Sequence, residues 1–488
     1  MLILYLAPEV WPYKRVGGLA EVARELPLAL GALGHTVAVI TPKPRLDPQK
    51  EAGLQRVDVT LEVPVSWKRH QAQVFSQPSG PGVTNYLIGH EHLFDREGLY
   101  GNAFGDYEDN AERFIFYSRA CLELAKVMGW HVDILHANDW TTGLVPAYLH
   151  SLYAQEPLFA KTGSLMTIHN LGKQGLFWHY DMPLTGLGWE YFTPEAIEFY
   201  GQINFLKAGL VFADMISTVS PHYAEEILTP EMGFGLEGVL RKRRDRLTAV
   251  INGLDYEAWN PATDRLLAAN YSVDNPDPKA VCRQELARHF NLEAGSHRPL
   301  IAVVGRLVDR KGLDLISAAM EQLFTLGLDV VVMGFGEDHY HTRLKELERQ
   351  HPGRLGVHVG YEMELAHRIM AGADMLLMPS RYEPCGLHQM QAMRYGTVPV
   401  VRATGGLDDT VVNHYAGRPG TGFKFEPYEV PAMLEAVQKA LAAFNNPQEW
   451  RGIMQRCMAQ DFSWQAAAPL YVEIYQKALE YAAQRRRG

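Results

Sequence analysis

The sequence predicts an α/β protein built from two doubly wound units in tandem. Three observations lead there. The chain opens on a buried-strand run, Leu2 to Leu6, then a loop and Gly17-Gly18 at the head of an amphipathic stretch through Leu30. Short apolar runs then alternate with longer helical patterns. Near Pro299 the same strand, loop and helix opening begins again.

In the first unit Gly34-His35 ends the opening helix, and Thr36–Ile40 reads as the second strand. Further strands are expected at Val132–His136, Leu165–His169, Met215–Val219 and Thr248–Ile251, with Asn110–Met128 among the helices. This is the rhythm of a parallel sheet. In the second unit Leu300–Val304 ends in Gly305-Arg306, and Gly312 opens a helix over Leu313–Leu326. Asp329–Met333, Gly356–Val359, Asp374–Met378 and Val398–Val401 supply its remaining strands. The Pro-, Asn- and Asp-rich stretch Leu254–His297 reads as the connection, with an entry helix at Val281–Phe290. The boundaries predicted are 1–250, 251–465 and a C-terminal helix in 466–488 that packs back across the domain junction.

Composition bounds the function. The 488 residues are 47% hydrophobic and 21% charged, with a net charge of -10, which suits two or three globular domains. A mildly acidic chain repels nucleic acid at long range. The opening apolar run, closed by Pro8, lacks the features of a signal peptide, and nothing approaches the ~20 apolar residues of a membrane span. The four cysteines lie 161, 103 and 72 residues apart, with neither zinc-ligand nor disulfide spacing. A cytoplasmic protein with no nucleic-acid or membrane partner is therefore expected.

Ligands of open α/β sheets bind beyond the carboxyl ends of strands. The loops there carry Lys14-Arg15-Val16-Gly17-Gly18, His136 to Trp140, His169-Asn170, Asn252-Gly253, Gly305-Arg306 with Lys311, Glu383-Pro384-Cys385-Gly386 and Thr404-Gly405-Gly406. Glycines admit close backbone approach, helix N-termini favour anions, and an adjacent Arg or Lys adds fixed positive charge. Arg306 and Lys311 are thus what a diphosphate needs. Taken singly, each signal has a plainer reading: a turn for Gly17-Gly18, a structural histidine for His169, a packing thiol for Cys385, and solvated faces for Arg241–Arg246 and Arg485–Arg487. Their joint occurrence favours a phosphorylated, hydroxylated ligand.

These residues resemble glycosyltransferase family 5, the bacterial glycogen synthases and plant starch synthases. The opening signature reads Arg15-Val16-Gly17-Gly18-Leu19, and the similarity runs through Gly98–Gly101, Asp109–Phe114, His136–Leu144, His169–Leu171, Ile203–Lys207, Ser217–Pro221, Asn252–Asp255, Gly305–Leu307, Lys311–Leu313, Ser380–Leu387 and Arg402–Leu407. The resemblance implies two Rossmann-like domains of the glycosyltransferase B type facing a cleft. It implies retaining transfer of glucose from ADP-glucose to the non-reducing end of an α-1,4-glucan, with no cofactor. By motif position Arg306 and Lys311 hold the donor diphosphate, and Glu383 orients the glucosyl hydroxyls with backbone N–H groups of Cys385, Gly386 and Leu387. Gly18 and the Thr404-Gly405-Gly406 turn offer donors to phosphate. His169 stands near the reacting sugar, Asp139 and Asn252 line its pocket, and Tyr361 is a candidate for stacking on the base.

The chain departs from the family pattern at Arg15 for lysine, Glu21 for aspartate, Gly172-Lys173 for Ala-Tyr, and at His388 and Gln391. These positions bear on nucleotide preference and acceptor length. No two aspartates are two residues apart, so the Asp-x-Asp of metal-dependent transferases is missing and the Arg/Lys pair is expected to take the metal's place. The competing readings are a related retaining transferase using UDP-glucose or a small acceptor, and a glucan-binding homologue without activity.

Overall fold

The structure, a computed structural model, describes residues 1–102, 104–293, 297–415 and 417–486. It contains two compact units, Met1–Gly253 with Trp464–Gly488, and Leu254–Ser463.

In the first unit the strands are β1 (Leu2–Leu6), β2 (Thr36–Pro42), β3 (Gln55–Val65), β4 (Lys68–Gly80), β5 (Val83–Gly89), the short pair β6 (Gly101–Asn102) and β7 (Gly105–Asp106), β8 (Ile134–Asn138), β9 (Gly163–Ile168), β10 (Leu176–Trp178), β11 (Glu198–Phe199), β12 (Gln202–Asn204), β13 (Met215–Thr218) and β14 (Leu247–Ala249). Nine of them form one sheet in the order β14-β13-β9-β8-β1-β2-β5-β4-β3. Adjacent residues of β1 enter opposite layers. Ile3 and Tyr5 face the helix Leu19–Ala32, while Leu4 and Leu6 face the helix Asn110–Val127. An unbroken apolar run is what burial on both faces demands.

The sheet is mixed, which corrects the purely parallel expectation. β3, β4 and β5 pair antiparallel at one end. Their residues alternate in exposure, as in Gln55–Val65, so the one-sided pattern was diluted by polar residues and passed over. A three-stranded sheet, β10-β12-β11, was likewise missed because its strands are two or three residues long.

The second unit holds β15 (Leu300–Val304), β16 (Asp329–Gly334), β17 (Leu355–Val359), β18 (Met375–Met378), β19 (Val398–Arg402) and β20 (Phe423–Phe425), in the order β17-β16-β15-β18-β19-β20. All neighbours are parallel. Counted within the unit this is 3-2-1-4-5-6, the doubly wound order whose direction reverses between β15 and β18. In the first unit the reversal falls between β1 and β8.

The C-terminal helix, Trp464–Arg485, belongs to the first unit and packs on β8, β9 and β13. Its Tyr475 hydroxyl meets the fully buried His136 Nδ1 at 2.8 Å, and Thr167 Oγ1 meets His136 Nε2 at 2.7 Å. Burial drives the imidazole well below its ordinary pKa, so the ring is neutral. Arg485 pairs with Asp214. In the arginine run expected to be a solvated face, Lys242 and Arg244 are exposed, but three arginines cap backbone carbonyls. Arg243 reaches the Val211 and Ala213 carbonyls, Arg246 the Asp214 carbonyl at 3.1 Å, and Arg241 the Leu228 carbonyl at 2.6 Å. Helix and strand ends leave such carbonyls unpaired, and a guanidinium fork satisfies them. Arg487 lies outside the described residues. No described helix is long and apolar enough to cross a membrane, and all four cysteines are free and buried.

Replacing Tyr475 by Phe strips His136 Nδ1 of its partner without changing ring packing. An orphaned buried group costs about 1–3 kcal/mol, so Tyr475→Phe lowers the thermal unfolding midpoint. An unchanged midpoint would show that the hydroxyl does not anchor the helix.

Candidate active site

Each unit gathers its unusual polar residues where its strand order reverses, the crevice position at which doubly wound sheets bind ligands. In the second unit the loops after β15 and β18 meet. Arg306 follows β15 and is exposed, and a pocket beside it is lined by Gly305, Lys311 and Ser380. Lys311 forms a close ion pair with the buried Glu383, whose Oε2 also accepts from Ser380 Oγ at 3.3 Å. Burial raises the Glu383 carboxyl, but the Lys311 and Arg310 charges outweigh it and leave the group below its usual range.

Glycines make this approach possible. Gly312 has φ +79°, and a Cβ there would lie 2.3 Å from the Pro379 carbonyl oxygen. Gly405 and Gly406 back directly onto Glu383–Cys385, where a Cβ would come within 2.1 Å of the Glu383 oxygen and 2.0 Å of the Cys385 oxygen. Gly406 N–H donates to the Glu383 carbonyl at 3.1 Å. That bond ties Gly406 to the Glu383 loop. The helix Gly405–Thr410 starts at the buried Thr404.

Cys385 is buried, Gly386 has φ +73°, and Leu387 caps the helix His388–Arg394. Gln389, which sequence reasoning passed over, locks this turn. Its Nε2 donates to the Cys385 and Gly386 carbonyls at 3.0 and 2.9 Å and to Thr410 Oγ1 at 3.1 Å. Tyr361 follows β17, with its ring 6.5 Å from His388, and a Cβ at Gly305 would lie 3.8 Å from the His388 ring. Base-stacking and phosphate-binding candidates thus share one end of the sheet. Among the described residues Asp309, Glu337 and His339 bring three ligand atoms within 4.8 Å of one another, all exposed.

In the first unit the loops after β1, β8 and β9 meet. Asp139 has φ +53°, in the left-handed region that non-glycine residues avoid. Its Oδ1 accepts from His169 N at 2.8 Å and Asn170 N at 3.3 Å. Burial outweighs these donors and raises the carboxyl to about 7. His169 Nε2 meets Asn138 Oδ1 at 2.8 Å, while Asn138 Nδ2 donates to the Leu6 carbonyl at 3.0 Å. The amide orientation makes Nε2 the protonated nitrogen. Burial lowers the imidazole pKa to about 3, so His169 is neutral. Asn252 is buried, and its Oδ1 has no hydrogen-bond partner among the described residues.

Glu9 was also missed. It is buried, and its Oε2 accepts from Val16 N at 2.5 Å and Gly17 N at 2.9 Å. The Gly17 N–H is therefore bonded within the loop. Gly18 caps the helix Leu19–Ala32. Arg15 pairs with Glu21 at 2.8 Å, and Lys14 Nζ donates to the Glu97 carbonyl at 2.7 Å. The two residues that depart from the family signature thus meet in one ion pair.

Residues 2–242 match the starch synthase catalytic domain, and residues 286–452 match the glycosyl transferases group 1 domain. A glycogen synthase of Anaeromyxobacter sp. (strain Fw109-5) is 46% identical over 97% of this chain and 99% of its own length. The chain belongs to the glycogen synthase family. Another relative, from Koribacter versatilis (strain Ellin345), is 44% identical over 99% of both chains. Among solved structures, the catalytic domain of starch synthase IV from Arabidopsis thaliana, bound to ADP and acarbose, superposes with a TM-score of 0.90 at 30% identity, covering 98% of this chain and 99% of that one. A sucrose-phosphate synthase from Thermosynechococcus elongatus shares the fold at a TM-score of 0.60 and 20% identity, covering 98% of both. The family is one of glycosyltransferases, and this protein is an enzyme of that class with the family's two Rossmann-like, glycosyltransferase B type domains.

The raised Asp139 pKa has a stability consequence. An unfolded aspartate ionises near 3.9 and the folded one near 7, so the folded form binds the extra proton between these values and stability falls as pH rises through that window. At pH 8, Asp139→Asn should raise the unfolding midpoint while lowering turnover. The gain should shrink as pH falls towards 4. A pH-independent gain would mean that Asp139 titrates normally.

Proposed function

We propose that the protein transfers glucose from ADP-glucose to the 4-hydroxyl at the non-reducing end of an α-1,4-glucan, with retention of configuration. The observation that carries this reading is the ion pair of half-buried Lys311 with buried Glu383, beside Arg306 where the second sheet reverses. The starch synthase IV relative, solved with ADP and acarbose, supports an adenine nucleotide donor and a glucan acceptor. Four buried thiols fit work in the reducing cytoplasm.

In this mechanism Arg306 and Lys311 hold the donor diphosphate. Glu383 fixes Lys311 and accepts hydrogen bonds from the glucosyl hydroxyls, with the turn at Cys385, Gly386 and Leu387 presenting backbone N–H groups. Tyr361 stacks on the base. From the first unit, Asp139, His169 and Asn252 line the glucosyl site, while Arg15 and Gly18 serve the phosphate or acceptor. The bond between C1 and the diphosphate oxygen breaks as the acceptor 4-oxygen bonds to C1 on the same face, and the acceptor proton passes to the departing phosphate. Negative charge grows on that phosphate, where preorganised cations act most strongly. Neutral His169 can bond a sugar hydroxyl without donating a full proton.

The test is time-dependent elongation of a labelled maltooligosaccharide, with ADP-glucose and UDP-glucose in parallel. Elongation with UDP-glucose alone would overturn the donor assignment, and elongation with neither would leave a binding protein. Arg306→Ala and Lys311→Ala should each lose about 3 kcal/mol of transition-state stabilisation, roughly a hundredfold in kcat. Near-normal turnover in either removes its diphosphate role. Elongation should persist in EDTA. Loss restored by magnesium or manganese would refute the Arg/Lys pair as the metal's substitute.

A further inference from the structure

The first unit contains a pair of histidines that the proposed transfer chemistry does not use. His70 lies on β4 and His90 just beyond β5, and both are half-buried. His70 Nδ1 meets His90 Nε2 at 3.1 Å. On its far side His90 Nδ1 accepts from Leu93 N at 3.3 Å and so caps the short helix Glu91–Phe94. At the other end His70 Nε2 lies 3.4 Å from Glu112 Oε1, a carboxylate that Lys68 also pairs at 2.7 Å. Phe116 packs edge-on against both rings.

This arrangement fixes where the protons are. A backbone N–H can only donate, so His90 Nδ1 carries no hydrogen and the neutral ring holds its proton on Nε2. That proton points to His70 Nδ1, which leaves the His70 proton on Nε2, facing the carboxylate. Two neutral rings thus hold two protons in a one-way chain from Leu93 to Glu112. A third proton has one place to go. The gap between the rings takes a single hydrogen and His70 Nε2 already has one, so the addition fills His90 Nδ1 and opposes the Leu93 N–H. Wherever a proton enters the pair, the bond it removes is the Leu93 cap.

We propose that the His70–His90 pair is an acid-operated latch on the segment His90–Glu97. That segment reaches the site loop of the same unit, because the Glu97 carbonyl accepts from Lys14 Nζ at 2.7 Å. The link to activity rests on the reading of the Lys14–Gly18 loop as part of the transfer site. Two arginines hold the same turn: Arg113 Nε donates to the Leu93 carbonyl at 2.7 Å, and Arg96 donates to the His92 carbonyl at 2.7 and 2.9 Å. Both guanidiniums stay charged near neutrality, so of these three holds a proton can remove only the His90 cap. The charged and titratable groups facing the pair are Lys68 on β4, Glu112 on the helix Asn110–Val127 and His92 on the segment itself, with Asp181 acting on Glu112 from beyond. Burial holds both imidazoles below their ordinary pKa, and the Glu112 charge opposes it without prevailing. The folded rings therefore bind fewer protons than unfolded ones, which ionise at about 6.5. Their contribution to stability is complete above that value and is lost as pH falls below it.

Hydrogen-exchange mass spectrometry on the full chain between about pH 8 and pH 5.5, the range in which histidine changes charge, reads the latch without requiring turnover. Corrected for the intrinsic pH dependence of exchange, segment 90–97 of the wild type should open about fivefold more at the acid end. KM for a maltooligosaccharide should rise alongside. His90→Asn keeps a capping oxygen that does not titrate, so exchange and KM should hold their high-pH values throughout. His90→Ala should show the open behaviour at both ends of the range, and if it fails to fold the asparagine comparison still decides. The latch is refuted if wild type and His90→Asn respond to acid alike, or if the wild-type segment does not respond. A segment that opens in acid while KM stays constant would overturn the link to Lys14. Failure of elongation with every donor would count against the transfer reading alone, because the exchange result does not depend on it.

Discussion

Holding half-buried Lys311 against buried Glu383 is the constraint around which the second unit is arranged. Removing two ions from water costs several kcal/mol each, and their attraction repays it only with good geometry and further hydrogen bonds. The loop from Gly305 to Gly312 and the loop from Pro379 to Leu387 must therefore come almost into backbone contact. That requires the absence of a side chain at Gly312, and Gly405 and Gly406 likewise let the turn after β19 back onto Glu383–Cys385. Ser380 and Gln389 complete the enclosure, one bonding the carboxylate and the other the turn behind it. An enzyme gains from this expense because the cation stands ready before charge develops on a leaving phosphate.

The first unit solves a related problem with a different bias. Its central groups are kept neutral, or close to it, by burial: His169 loses its proton at about 3, and Asp139 keeps its own up to about 7. Asp139 also holds a left-handed backbone conformation, of the kind that costs about 1–3 kcal/mol and clusters at functional sites. Backbone N–H groups of His169 and Asn170 fix its carboxylate, and Asn138 fixes the imidazole. One unit thus presents full charges suited to a diphosphate, and the other presents hydrogen-bonding groups of low charge suited to sugar hydroxyls.

Much of this was legible in sequence, for identifiable reasons. Strands buried on both faces, such as Leu2–Leu6 and Leu300–Val304, are unbroken apolar runs that need no partner to be recognised. Glycine and cation clusters beyond them mark strand ends, so Arg306, Lys311, Glu383, Asp139 and His169 could be named before any fold was seen. Roles that depend on where a backbone N–H points could not be read. The bonds from the Gly17 and Gly406 N–H groups to Glu9 and to the Glu383 carbonyl, for example, leave no mark in the sequence. Glu9 and Gln389 were missed because a lone carboxylate or amide carries no pattern. The capping arginines 241, 243 and 246 resemble any solvated run until the carbonyls they cover are seen.

The Arg15 and Glu21 departures show how the sequence and the structure inform each other. Separately, a guanidinium in place of an ammonium and a longer carboxylate in place of a shorter one look like independent drift. In the fold they form one ion pair at 2.8 Å, both partly exposed, next to the buried Glu9 that holds the loop between them. Burial raises the Glu21 carboxyl, Arg15 lowers it, and Glu9 raises it again. Arg15 thus stands among two carboxylates whose mutual repulsion it relieves. Lys14, the other candidate cation, is occupied by the Glu97 carbonyl. A planar fork can bond one carboxylate along one edge and keep further N–H groups for a second anion, which a compact ammonium does less selectively. The substitution therefore preserves positive charge at the head of the first helix while tying its direction to Glu21, so the two positions act as a single unit of the loop.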